Sequence, residues 1–162
     1  MATQVKLPRL GQGMDEGKVL QFFGDYVGTV KNPGLRWANP FLTKKKVSLR
    51  VRNFESSHLK VNDAEGNPIE IAANVVWRVA DTAQALFDVD DYSAFVNIQI
   101  EAGLRTVGAR HPYDDFEENE TTLRAHPDIV NSELQIELNE RLHVAGIEVD
   151  EAGLTHLAYA SE

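Results

Sequence analysis

A strict alternation of apolar and polar side chains runs through the middle of the chain, from Ile69 to Val79. Successive side chains of a β-strand face opposite ways, so every second residue of this run shares a face. One parity is apolar throughout and predicts a buried face, whereas the other is mixed and predicts an outer face. At a rise of roughly 3.4 Å per residue, the strand would be about 35 Å long. The inner set is Ile69, Ile71, Ala73, Val75, Trp77 and Val79; the outer set is Glu70, Ala72, Asn74, Val76 and Arg78.

A second alternating run lies upstream, from Lys46 to Arg52. Asn53 shifts the phase of this alternation, and such a shift indicates a β-bulge. A cluster of turn residues, Asn62–Pro68, separates the two runs and contains glycine and asparagine, which tolerate positive φ. We therefore expect the two runs to be neighbouring antiparallel strands.

Other segments predict a hairpin near the start and a strand at the end. Residues Val19–Phe23 and Val27–Val30 read as the two arms of a β-hairpin. The segment Ile147–Tyr159 reads as a last strand, with a bulge expected at Gly153.

Helical periodicity appears between these strands. Thr82 is a good N-cap residue and predicts a short helix directly after it. A longer helix is predicted over 91–110, where Gly103 and Gly108 require tight packing to be tolerated. A final helix runs from Pro127 towards Gly146, a residue typical of a helix C-terminus. The apolar stripes are Phe95, Val96, Ile98, Ile100, Ala102, Leu104 and Val107 in the long helix, and Val130, Leu134, Leu138 and Leu142 in the final one.

The ordered series of these segments resembles the SPFH (band 7) domain, the family of stomatins, prohibitins and flotillins. The matching pieces are Val47–Glu55, Leu59–Asp63, Gly66–Ala72, Val75–Val79, Phe87–Tyr92, Ala102–Arg105, Ala145–Val149 and Leu157–Ala160. The resemblance covers residues 18–162 and implies an α+β fold in which long antiparallel strands pack against two main helices. Residues 1–17 form a separate leader in this interpretation.

The leader itself resembles the opening strand of lipoyl-carrier domains, through Val5-Lys6-Leu7-Pro8 and Gly11-Gln12-Gly13-Met14. A carrier needs a lysine at an exposed hairpin tip, and the chain offers no such hairpin. A lipoyl or acyl carrier is therefore kept as the alternative function, and the leader is expected not to act as a working carrier.

Composition narrows the class of protein further. The 162 residues contain no cysteine, which excludes disulfides and thiol chemistry, and no apolar run approaches the roughly 18 residues of a membrane span. Charge is uneven: residues 1–60 hold 11 Lys and Arg against 4 Asp and Glu, a net +7, and residues 61–162 hold 5 against 21, a net −16. This asymmetry suits head-to-tail contact between copies or a basic end that faces an anionic surface; charges that are merely solvated would give it too.

No catalytic or cofactor constellation is apparent, so we expect no enzyme activity, no cofactor and no metal. The five histidines lack the spacing of a metal motif, and only His111 with Asp114 and Asp115 offers a weak divalent candidate. A hydrolase is kept as a third hypothesis. The acidic balance disfavours nucleic acid as a partner.

The resemblance implies a membrane-associated scaffold that forms homo-oligomeric rings or cages and organises lipids or membrane proteins such as proteases. The family's apolar anchor and coiled-coil helix are not apparent, so we expect the chain alone to be soluble and cytoplasmic. The segment after the first hairpin combines aromatics with lysines and is the candidate membrane-facing loop: Trp37, Phe41, Leu42, Lys44, Lys45 and Lys46. Self-association is expected at the outer strand face and beside it, through Arg50, Arg52, Glu70, Asn74 and Arg78.

Overall fold

The computed structural model of the chain describes residues 16–31, 37–114 and 121–160. Their elements follow one another as seven strands, three α-helices and one 3₁₀ turn. In chain order these are β1 (Glu16–Phe22), β2 (Asp25–Val30), β3 (Thr43–Ser48), β4 (Arg52–Glu55), β5 (Leu59–Asn62), β6 (Pro68–Val79), α1 (Thr82–Phe87), α2 (Tyr92–Arg110), α3 (Pro127–Leu142), the 3₁₀ turn (His143–Ala145) and β7 (Ile147–Tyr159).

The strands form two antiparallel sheets. The first sheet has the order β2-β1-β3. In the second sheet β6 is central: it pairs with β7 along one side, and with β4 and then β5 along the other. Antiparallel sheets with helices against them confirm the predicted α+β architecture, and the hairpin of β1 and β2 is confirmed as well.

The inner face of β6 forms one side of the hydrophobic core, as the alternation predicts. All six side chains of that face are buried, none more than 4% exposed. Helices α2 and α3 supply the other half of the core through the stripes Val96, Ile100, Leu104 and Val107, and Val130, Leu134, Leu138 and Leu142. Burying a large aliphatic side chain stabilises a fold by about 1.5–3 kcal/mol, so this face contributes substantially to the stability of the domain.

The two glycines of α2 allow this helix to pack closely against α3 and β5, as predicted from the sequence. A Cβ at Gly103 would lie 2.7 Å from Leu138 Cδ2 of α3, and one at Gly108 would lie 3.1 Å from Val61 Cγ2 of β5. The predicted stripe of α2 was too wide at Ile98, which is exposed. Ile98 lies about 200° around the helix from Val96, on the side away from the sheet.

The upstream alternating run is divided between the two sheets, which corrects the prediction of a single strand. Strand β3 ends at Ser48 and pairs with β1, whereas β4 begins at Arg52 and pairs with β6. The chain crosses from one sheet to the other over 49–51 without a change in its alternation. A sequence pattern of period two therefore cannot reveal this crossing.

The bulge predicted at Asn53 lies instead at Ser56. Glu55 is opposite Asn74, but Leu59 is opposite Ile71, so one extra residue separates β4 from β5. Ser56 stabilises this bulge because its N–H donates to the Ala73 carbonyl (2.8 Å) and its Oγ accepts from the Ala73 N–H (2.9 Å).

Two further local predictions are corrected at α1 and β7. Asp81, and not Thr82, is the N-cap of α1, since its carboxylate accepts from the N–H groups of the first turn. Thr82 is buried and its Oγ1 lies 2.9 Å from Thr29 Oγ1 of β2, which joins α1 to the first sheet. Gly153 pairs regularly with Asn74, and register shifts occur on either side of it.

Asp63 joins the β5–β6 turn to the end of α2. Its carboxylate accepts from the N–H groups of Glu65 (3.0 Å), Asn67 (2.8 Å) and Tyr113 (3.1 Å). Burial alone acts to raise the pKa of Asp63, but hydrogen bonds from Asn67, Tyr113 and Glu65 outweigh it, so the net effect is a lowered pKa. The carboxylate therefore stays ionised where it is needed as an acceptor.

Substitution of Gly146 directly tests the close packing between the end of the 3₁₀ turn and Asp81. It ends the 3₁₀ turn with φ 64°, and an added Cβ would lie 2.4 Å from the Asp81 carbonyl oxygen. We expect Gly146→Ala to lower the free energy of unfolding by about 2–5 kcal/mol, since left-handed strain of about 1–2 kcal/mol and a backbone overlap of about 1–3 kcal/mol act together. Urea denaturation measures the loss.

The matched control is Gly66→Ala in the β5–β6 turn. Gly66 also has positive φ (89°), but nothing lies within 4 Å of an added Cβ. Only the backbone strain of about 1–2 kcal/mol applies there. Equal losses in the two variants would contradict the close contact between Gly146 and Asp81.

Candidate functional site

The end of the first sheet carries an exposed aromatic tip. The hairpin of β1 and β2 closes through Phe23 and Gly24, which both have positive φ (49° and 97°), as a two-residue hairpin turn requires. Gln21 is opposite Thr43 in the β1–β3 pair, so Phe41, two residues before Thr43, emerges at the same end of the sheet. We call Phe22, Phe23, Phe41 and Trp37, which precedes Phe41 by four residues in the chain, the aromatic tip.

The rings of the aromatic tip are held away from the core. Phe23 is 93% exposed, Phe41 80% and Trp37 63%. The Phe22 and Phe23 rings contact each other edge to face at 4.6 Å. Asn39 fixes the turn beneath Phe41, because its Oδ1 accepts from the Phe41 N–H at 3.1 Å. A phenylalanine with positive φ is unusual and strained, and here the strained backbone projects the ring into solvent.

A row of lysines begins beside the aromatic tip. Lys44, Lys45 and Lys46 lie on β3, an edge strand of the first sheet, and all three are exposed. Lys46 forms an ion pair with Glu16 at 3.5 Å. The lysines are part of a strand that starts earlier than expected, at Thr43. The result is a basic edge that starts at the aromatic end of the sheet.

The sequence predicted two of the four aromatics of the tip and all three lysines. Trp37, Phe41, Leu42 and the three lysines were predicted as membrane-facing, and Leu42 proves to be half-buried. Phe22 and Phe23 were missed because they were assigned to a hairpin strand. The signal was present as Phe-Phe-Gly between two alternating runs, which places two aromatics at a turn.

The residues predicted for self-association lie in different surroundings. Arg78 is on the outer face of β6 and forms ion pairs with Glu148 (3.0 Å) and Asp150 (3.4 Å) of β7. The hydrogen bond with Glu148, and then the charge of Asp150, raise the pKa of Arg78 above its ordinary value. This exposed triad is a fixed charged feature of the outer face.

Arg52 lies on the inner side of the sheet and not on the outer face where it was predicted. Its guanidinium is 5.3 Å from the centre of the Trp77 ring and 5.5 Å from that of Tyr92. It donates to Tyr92 Oη (3.2 Å) and Ser93 Oγ (3.3 Å), at the start of α2. Arg52 therefore joins β4 to α2, whereas Arg50 lies exposed in the crossing between the sheets.

Glu70 and Asn74 lie on the outer face of β6, as predicted. Glu70 is half-buried, and its carboxylate is 3.6 Å from the Lys60 ammonium. The Asn74 Oδ1 atom is buried without a hydrogen-bond partner. The rings of His58 and His156 stack beside Glu70, a pairing that the sequence spacing of the histidines did not reveal.

The weak divalent candidate at His111 is not assembled among the described residues. His111 Nε2 contacts Glu133 Oε2 of α3 at 2.5 Å, while Asp114 forms an ion pair with Arg124 at 2.9 Å. The hydrogen bond from His111, and then one from Arg110, outweigh the effect of burial and lower the pKa of Glu133. Asp115 lies outside the described residues.

Fold and surface together define an α+β domain whose prominent features are an exposed tip and a charged sheet face. The chain matches the family model of the SPFH domain / Band 7 family over residues 14–162, and it belongs to that family. This is a family of membrane-associated, scaffold-like proteins that are generally not enzymes. No curated protein matches the chain.

The start of the family match bears on the predicted leader, and the described helices bear on membrane crossing. The family match begins at residue 14 and β1 at Glu16, inside the leader predicted over 1–17. Most of that leader lies outside the described residues, and the match lends no support to a carrier role for it.

Among the described helices, none combines the length and the hydropathy needed to cross a bilayer.

Proposed function

We propose that this SPFH domain is a non-catalytic scaffold module that docks on an anionic membrane surface through the aromatic tip and associates with further copies of itself. The observation that carries the proposal is the exposure of Phe23 and Phe41 at one end of a sheet whose edge bears three exposed lysines. Aromatic rings at headgroup depth with lysines beside them are typical of proteins that lie on a membrane.

The free energies of the individual contacts favour reversible docking on the membrane. Full burial of a phenylalanine is worth about 1.5–3 kcal/mol, and each lysine near an anionic surface about 1 kcal/mol. Neither contribution alone holds a protein on a membrane. The tip aromatics and the lysine row of β3 act together because the lysines begin at the end of the sheet where Phe22, Phe23 and Phe41 emerge.

Self-association is supported by the distribution of charge. The positive net charge of residues 1–60 includes the lysines of β3, whereas the excess of acidic residues falls in 61–162. Opposite charges on two parts of one chain favour head-to-tail contacts, which close into rings when the rotation permits. The Arg78–Glu148–Asp150 triad places both signs of charge on the outer sheet face, where a second copy would dock. A ring of docked copies would corral lipids and membrane proteins, proteases among them.

Vesicle binding tests the membrane contact. The variant Phe23→Asn, Phe41→Ser removes both rings, and asparagine tolerates the positive φ at position 23. We expect this variant to bind phosphatidylserine-containing vesicles at least about tenfold more weakly than wild type, since a tenfold loss corresponds to only about 1.4 kcal/mol. Co-sedimentation with vesicles measures the affinity.

Ile136→Ser is the matched control, because Ile136 is also exposed but lies on α3. It should bind vesicles as wild type does. Wild-type binding should fall at high salt, where exposed charges are screened within about 3 Å at 1 M. Equal binding by the tip variant and the control would contradict the proposed docking mode.

Charge reversal at Arg78 tests self-association. We expect Arg78→Glu to abolish the crosslinked oligomers that the wild-type chain forms on vesicles, because three carboxylates would then meet on the outer face. Arg105→Glu makes the same charge change at an exposed position of α2 and should leave the oligomers intact. A wild-type chain that stays monomeric on vesicles, or an Arg78→Glu variant that assembles normally, would refute the outer-face contact.

A further inference from the structure

Strand register brings two histidines together that are far apart in sequence. His156 of β7 is the cross-strand partner of Ala72 in β6. On the other side of β6, Leu59 is opposite Ile71, so His58 comes opposite Ala72 as well. The small, buried Ala72 leaves room above it, and the two imidazole rings meet there, stacked with their centres 4.4 Å apart and their planes inclined by 24°.

The bulge at Ser56 is the reason that His58 reaches this face. Along β4, Phe54 is opposite the inner-face residue Val75, so even-numbered positions face the core. The extra residue at Ser56 reverses this parity, since Leu59 is opposite the inner-face residue Ile71. His58 is therefore turned to the outer face by an inserted residue that Ser56 holds with two hydrogen bonds.

Glu70 completes a cluster with the two histidines. It lies two residues before Ala72 on β6, and side chains two apart share a face of the sheet. One ligand atom from each of His58, Glu70 and His156 lies within 4.8 Å of the others. His156 and Glu70 are half-buried and His58 is exposed, so the cluster opens to solvent on one side.

We propose that His58, Glu70 and His156 form a binding site for a divalent transition-metal ion of the zinc class. Two imidazoles and one carboxylate are a donor set that Zn²⁺ binds in proteins, at about 2.0–2.2 Å from each ligand atom, with water in a fourth, open position. The ligand atoms of the three residues lie within 4.8 Å of one another, so binding of one ion requires them to draw closer. A metal ion bound here would contradict the expectation of no metal.

The backbone beneath the ligands is well suited to hold an ion. Glu70 and His156 lie in the paired strands β6 and β7, and His58 directly precedes Leu59, the first residue of β5, so the sheet positions all three backbones. Glu70 Oε1 exchanges its contact with the Lys60 ammonium for the metal. A bound ion would link β5, β6 and β7 across the outer face, and binding to the folded state alone stabilises it.

Metal titration of the chelator-treated chain tests the proposal. We expect one Zn²⁺ per chain by isothermal titration calorimetry, and a Co²⁺-loaded chain with the strong visible absorption of a four-coordinate ion. At a Zn²⁺ concentration about a hundredfold above Kd, the melting temperature should rise by about 5–10 °C.

Ligand variants locate the ion. His58→Ala, His156→Ala and Glu70→Gln should each weaken Zn²⁺ binding by more than about tenfold, since even the outer partners of metal ligands are worth about 10–100-fold. The matched control is His143→Ala, which removes another exposed histidine, at the end of α3, and should bind as wild type does.

Several results would overturn the proposal. These are a wild-type chain without saturable binding of one Zn²⁺, a Co²⁺ spectrum of the weakly absorbing six-coordinate ion, ligand variants that bind as wild type does, or an equal loss in His143→Ala. Because these measurements use the chain in solution, they are independent of vesicle binding and oligomerisation.

Discussion

The burial of one face of β6 is the constraint on which the rest of the structure depends. Six alternate side chains of this strand are buried in one hydrophobic core with the apolar stripes of α2 and α3. Strands β4, β5 and β7 are all ordered by pairing with it. Because a shift of one residue would turn the whole apolar set to solvent, the register of β6 is strongly specified. That register then fixes which side chains appear on the outer face, including Glu70, Asn74 and Arg78.

The rigid framework allows functional features to be placed at its margins. The aromatic tip combines a strained backbone at Phe23 with a ring that contributes little to the core. Backbone strain persists only when the surrounding structure holds it, and here the β1–β2 ladder does so. The outer face likewise holds charged groups in fixed pairs, as at Arg78. The described part of the domain thus exposes aromatic and charged surfaces, and it belongs to a family that is generally not enzymatic.

Much of the fold was predictable from the sequence because its longest elements are strongly periodic. Strand β6, helix α2 and the Leu134–Leu138–Leu142 stripe of α3 follow from apolar spacing alone. The division at 49–51 did not, since the alternation continues across two sheets. Arg52 was placed on the wrong face for the same reason. The His58–His156 pair could not be predicted from the sequence, because it depends on a bulge at Ser56 and on the register of three strands. Tertiary pairing, and not local propensity, decides such contacts.

The two tryptophans offer the most direct test of the central claim, that the end of the first sheet enters the lipid interface while the β6 core stays intact. Trp37 belongs to the aromatic tip and is exposed, and Trp77 is buried on β6. With anionic vesicles that carry brominated acyl chains, we expect quenching of Trp37 fluorescence in a Trp77→Phe variant, and none of Trp77 in a Trp37→Phe variant. Vesicle-bound protein in which Trp37 is not quenched, or in which Trp77 is quenched equally, would contradict the account.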